Sequence, residues 1–118
     1  VKLAKRELGE RLFLITDAVT ATDKGIYPHV FQQDRYTMPD GTLSGSSLSM
    51  MKAVKNCVNH VGIPLNEALR MASLYPAALI NEAKRFGKIK PGYHANLVIF
   101  DNQLNVTDVV FNGSVNKK

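Results

Sequence analysis

The segment Leu12-Phe13-Leu14-Ile15-Thr16-Asp17-Ala18 constrains this chain more than any other. Four apolar residues without alternation predict a strand, Leu12–Ile15, buried on both faces. The run stops abruptly at Thr16-Asp17-Ala18. A carboxylate where such a strand ends sits at the mouth of a sheet or barrel, the edge at which parallel α/β folds collect ligands and chemistry. Asp is also a favoured turn and cap residue. Position alone therefore leaves Asp17 open between a cap and a functional group.

At 118 residues the chain is long enough for one compact domain. No apolar run approaches the ~20 residues that cross a bilayer, so no membrane partner is expected. The single cysteine, Cys57, excludes an intrachain disulfide and fits a reducing compartment, hence a cytoplasmic location. It lies in an amphipathic stretch and reads as core filler. The formal charge of +5 is spread from Lys2 to Lys118, densest at Lys84, Arg85, Lys88 and Lys90. A nucleic-acid surface needs such charge gathered on one face with base-contacting groups. These residues read instead as a solvated helix end and loop, and no nucleic-acid partner is expected.

Along the chain, Val1–Arg11 predicts a short charged helix interrupted by Gly9. Residues 18 to 34 form a long loop, with a short strand around His29–Gln32. Met38-Pro39-Asp40-Gly41-Thr42 is a turn. Leu43-Ser44-Gly45-Ser46-Ser47 is small and polar and leads into a helix, with Ser46 or Ser47 as its N-cap. Leu48, Met51, Val54, Val58 and Val61 recur at spacings of three and four and make one apolar stripe. Gly62 ends that helix and Pro64 starts the next, whose buried face is Leu65, Ala68, Leu69 and Ala72. Pro76 breaks it and seeds a third helix, Ala77–Lys84. Strands follow at Ala95–Asp101 and Val106–Phe111, then an Asn112-Gly113 turn and a return strand from Ser114. The order of elements is mixed α/β.

The helix lead-in at Leu43–Ser47 has two readings. Free N–H groups and small side chains can receive an anion or oxyanion, and Gly45 permits close backbone approach. Ordinary capping explains the same residues. The histidines, His29, His60 and His94, are far apart and make no ligand pair of zinc-site spacing. No metal site is expected within this chain.

Three stretches together resemble the C-terminal part of the amidohydrolase superfamily. The first is Leu14–Ala18. The second is Asp40-Gly41-Thr42-Leu43-Ser44-Gly45-Ser46-Ser47-Leu48 with the helices through Ala77. The third is Gly87-Lys88-Ile89-Lys90-Pro91-Gly92-Tyr93-His94-Ala95-Asn96-Leu97-Val98. The third is shared across amidohydrolases. The Gly-Thr-Leu-Ser-Gly-Ser core of the second is more specific, and is similar to the N-acetylglucosamine-6-phosphate deacetylases.

The resemblance implies a C-terminal fragment of a metal-dependent (β/α)8 barrel (residues 1–86) plus part of a small β-domain (87–118). It implies that Asp17 ends the last barrel strand and is the catalytic carboxylate, taking a proton from a metal-bound water and passing it to the leaving amine. It implies that Leu43, Ser44 and Gly45 line the sugar-phosphate site. The whole enzyme would hydrolyse N-acetylglucosamine 6-phosphate to glucosamine 6-phosphate and acetate. It would use a divalent metal, zinc or similar, and form a homodimer. The family's metal ligands lie on earlier barrel strands that this sequence lacks. The 118 residues alone are therefore expected to bind no metal and to be inactive. The third stretch fits a cyclic-amide hydrolase or deaminase equally well, and a noncatalytic binding or assembly module is the alternative outside enzymes.

Overall fold

The computed structural model describes residues 1–20, 30–32, 35–41 and 43–117. The chain is a mixture of helices and two separate three-stranded antiparallel sheets. In order come α1 (Lys2–Leu8), a 3-10 turn (Gly9–Arg11), β1 (Val30–Gln32), β2 (Arg35–Thr37) and β3 (Leu43–Ser46). Then come α2 (Met50–Asn56), a π-turn (Cys57–Val61), α3 (Leu65–Ala72), α4 (Leu74–Leu79), β4 (Leu97–Phe100), β5 (Val106–Phe111) and β6 (Ser114–Lys117). His29, Gly25, Pro28 and Thr42 lie outside the described residues, so the strand expected around His29–Gln32 is observed only from Val30.

The core is helical. Val54, Cys57, Ile63, Ala68, Met71 and Tyr75 form one buried cluster, with Ala68 and Met71 wholly enclosed. Four of the five residues of the expected stripe are in place, Met51, Val58 and Val61 packing against this cluster around Val54, while Leu48 lies before the start of α2 and outside the cluster. The helix continues past Asn56 as a wider turn and closes at Gly62 in the left-handed region, φ 80°. There the N–H of Ile63 donates back to the carbonyl of Cys57 over 3.1 Å. Burial pushes the Cys57 thiol up from its ordinary pKa, as suits core filler.

Five expectations are corrected. Leu12–Ile15 is not a strand buried on both faces. Its described backbone bonds run from Leu12 N–H to Gly9 and from Leu14 N–H to Met71 at the end of α3, 2.9 Å. Without a lateral ladder an apolar run is only extended chain laid over the core. Leu12, Phe13 and Leu14 pack on the cluster, and Ile15 is 69% exposed.

Leu43–Ser46 is a strand rather than a small polar turn, because β2 supplies backbone partners: Tyr36 faces Gly45 and Arg35 faces Ser46. The cap of α2 accordingly moves to Ser49, whose Oγ accepts from Lys52 N–H at 3.2 Å. The break between the second and third helices is at Ser73, φ −137°, three residues before the proline. Pro76 occupies the first turn of α4, where no N–H is needed. Finally, α4 ends at Leu79 and not at Lys84, since Asn81 turns left-handed at φ 60°. Arg85 thus pairs with Glu82 at 2.7 Å instead of facing a helix end.

α1 buries no residue and is held by charge. Lys5 Nζ donates to the Glu67 carboxylate and to Gly9 O, and lies 5.1 Å from the centre of the Tyr75 ring. Glu67 also accepts from Tyr75 Oη and Arg70 Nε, each at 2.8 Å. The Lys5 hydrogen bond, with help from Tyr75 and Arg70 and against desolvation, pulls the Glu67 carboxyl down to about 2. A carboxyl depressed on folding stabilises the fold above its ordinary pKa, and that contribution fades as pH falls toward the folded value. Glu67→Gln is expected to cost on the order of 2 kcal/mol at pH 7, allowing for solvent screening at a partly exposed site. The gap to wild type should close between about pH 5 and pH 2. Urea unfolding of both proteins across that range checks it; a pH-independent gap would remove Glu67 as the titrating anchor of α1.

Candidate functional site

Where the apolar run ends, the backbone turns on Thr16, whose Oγ1 accepts from Ala18 N–H at 3.2 Å. Asp17 sits inside this turn at φ 51°, a left-handed conformation that Asp and Asn tolerate better than other non-glycine residues. Its side chain is exposed, and no hydrogen bond or ion pair reaches its carboxylate from the described residues.

β3 runs beside this turn. Ser46 N–H donates to Asp17 O at 2.8 Å, and Val19 N–H donates to Ser46 O at 3.1 Å. Ala18 and Ser46 thereby make a parallel bridge. Ser46 Oγ donates to Thr16 O and accepts from Leu48 N–H, the latter at 3.3 Å.

The glycine before it is required by this approach. A Cβ on Gly45 would lie 2.8 Å from both γ-carbons of Val19 and 3.2 Å from Asp17 O. Real Cβ atoms do not tolerate the first of these contacts, so any side chain here must displace the Val19 side chain or push the Asp17 turn away from β3. Gly45 is therefore needed for close approach between two segments of this chain.

Of the residues singled out in the sequence, the structure brings Asp17 and Gly45 into contact. The backbone of Leu43 and Ser44 continues along the same strand, Leu43 facing Thr37 across a bulge. The histidines are placed elsewhere. His94 is exposed and stacks on Phe86, rings 4.5 Å apart and 11° from parallel. His60 is exposed at the end of the π-turn, and His29 lies outside the described residues.

Among the described residues no three His, Cys, Asp or Glu side chains converge as a metal-binding group. This donor set does not by itself fit a divalent metal. Sequence reasoning missed Ser46 as a bridge. It also missed Thr37, whose buried hydroxyl finds no partner among the described residues. A serine inside a Ser-rich stretch and a threonine before a turn carry no distinguishing signal.

The model of the amidohydrolase family matches residues 1–115. N-acetylglucosamine-6-phosphate deacetylase of Haemophilus influenzae is 34% identical over 96% of this chain and 32% of its own length. A putative N-acetylgalactosamine-6-phosphate deacetylase of Escherichia coli is 33% identical over 90% of this chain and 68% of its own. The crystal structure of N-acetylglucosamine-6-phosphate deacetylase from Pasteurella multocida superposes with a TM-score of 0.88 at 35% identity, covering 99% of this chain and 33% of that one. The chain thus spans about a third of the length of the first and third of these proteins.

Proposed function

The chain belongs to the amidohydrolase family, and on that premise we propose that it is the C-terminal third of an amino-sugar-phosphate deacetylase. The reaction is hydrolysis of N-acetylglucosamine 6-phosphate to glucosamine 6-phosphate and acetate. Water adds to the amide carbonyl carbon, the C–N bond breaks, and the nitrogen leaves as an amine. Asp17 takes the proton from the attacking water and delivers it to the leaving nitrogen, general base and then general acid. The backbone of Leu43, Ser44 and Gly45 lines the sugar-phosphate side of the site.

The observation that carries this reading is the Asp17 turn, set by backbone bonds against the glycine of β3, with its exposed carboxylate bonded by no other described residue. The amidohydrolase superfamily is generally metal-dependent. The described residues of this chain supply no converging ligand set, so the metal's donors belong to the rest of the proposed enzyme. Within the same proposal, residues 1–86 complete a (β/α)8 barrel and 87–118 part of a small β-domain. The exposed apolar side chains of Leu3, Ile15 and Ile80 are then covered by the remainder of the barrel. The whole protein acts as a cytoplasmic homodimer.

A second reading differs at one sugar carbon: a relative is named for the N-acetylgalactosamine 6-phosphate reaction. The test is acetate release by the purified full-length protein from both epimers and from a cyclic amide. The expected result is turnover of N-acetylglucosamine 6-phosphate with the highest kcat/KM. Preference for the galactosamine epimer replaces the substrate, and preference for the ring amide overturns the proposal.

A further inference from the structure

We infer that the Ser46 hydroxyl is a positioning residue for the Asp17 carboxylate. This rests on the reading of Asp17 as the proton-transfer group and extends it to a residue that touches no reacting atom. Asp17 lies in a left-handed turn that Thr16 Oγ1 spans by accepting from Ala18 N–H. Its orientation is set by the peptide groups on either side. Ser46 holds both sides: Oγ donates to the carbonyl of Thr16, and N–H donates to the carbonyl of Asp17.

The return bond, Val19 N–H to Ser46 O, closes the exit of the turn at 3.1 Å. The Ser46 hydroxyl oxygen, Oγ, also accepts from Leu48 N–H at 3.3 Å. One hydroxyl, donating once and accepting once, thus fastens the Asp17 turn to β3 and to the lead-in of α2. The two backbone bonds survive replacement by valine or threonine, so the side chain adds two constraints, at Thr16 and at Leu48, and the one at Thr16 bears directly on the turn. Gly45 explains why the constraint must come from the following residue. At Gly45 a Cβ would already collide with Val19, whereas Ser46 is next along the strand and directed at Thr16.

Loss of the hydroxyl frees the peptide that enters the turn. Misplacement of a reacting group by about 1 Å can cost on the order of 100-fold in rate. The test compares Ser46→Val with Ser46→Thr in the full-length enzyme. These side chains have nearly the same shape and differ by the hydroxyl, so the comparison holds even if Ser46→Ala is unstable. Ser46→Val is expected to lower kcat by about 10- to 100-fold with KM changed by less than about twofold. Ser46→Thr should recover most of kcat. Adding Ser46→Val to Asp17→Asn should cost nothing more, because the hydroxyl acts only through Asp17.

Wild-type kcat in a folded Ser46→Val enzyme whose Asp17→Asn counterpart is inactive overturns the positioning role and leaves the reading of Asp17 standing. Near-normal turnover in Asp17→Asn overturns both. A further loss in the double variant shows that Ser46 acts on something other than Asp17, and also overturns the inference.

Discussion

Asp17→Asn in the full-length protein is expected to lower turnover by about 100-fold or more, the lower scale of general acid–base catalysis, while leaving the fold intact. The choice of asparagine follows from the backbone. At φ 51° most side chains would strain the turn, and Asn is among the few that tolerate it. Asn also keeps the size of the side chain, and no hydrogen bond to the carboxylate is lost because the described residues make none. An alanine at this position would mix a backbone penalty with the chemical one. Steady-state kinetics and thermal melting of the same preparation separate the two. Near-wild-type kcat in a variant of unchanged Tm would assign Asp17 to the turn alone.

The largest expected effect on stability is at Gly87, which opens the stretch shared across amidohydrolases. Its φ is 92°, and a Cβ there would lie 2.7 Å from Leu74 Cα and 3.1 Å from Leu74 N. The obstacle is the backbone of α4's first residue, which cannot rotate aside as a side chain could. Gly87→Ala therefore combines left-handed strain of about 1–2 kcal/mol with overpacking of about 1–3 kcal/mol. Gly92, at the other end of the same stretch, is the control. Its φ is 89°, but nothing lies within 4 Å of a Cβ placed there. Gly92→Ala should show the conformational penalty alone. Denaturant midpoints for the two variants measure the difference; equal losses would mean that the Leu74 contact has no energetic weight.

How far the sequence can be read depends on how local each determinant is. The hairpin turn at Asn112-Gly113 was legible because both residues must adopt positive φ, here 48° and 81°, and that pair of residue types signals it. β5, Val106–Phe111, matched to the residue for the same reason. The close of the α2 stripe at Gly62 also follows from one residue's backbone freedom. Leu12–Ile15 misled because a buried strand is defined by its neighbours, and its described backbone finds no lateral ladder. Leu43–Ser46 went the other way: serine and glycine have weak strand preference, and β2 supplies the pairing that overrides it.

The π-turn left no mark because a single widened turn barely disturbs an apolar period. The Lys5–Glu67 anchor joins residues 62 apart and could not be read from either end. At the site, Asp17 and Gly45 were each singled out from the sequence, but nothing in it places them side by side; what joins them is backbone geometry and the hydroxyl of Ser46. Hydrogen bonds of that kind have no sequence signature.

The separation of the two sheets also fixes an order of assembly. β4, β5 and β6 pair in a meander whose closest partners, Phe111 and Ser114, are three residues apart. Short closures of this kind form on the microsecond scale. The bridge from Thr16 to Ser46 must close a loop of 30 residues before any contact rewards it. During refolding, near-native order is therefore expected first in the C-terminal meander and last around Asp17. The carboxylate becomes aligned only when the rest of the chain has already committed to its shape.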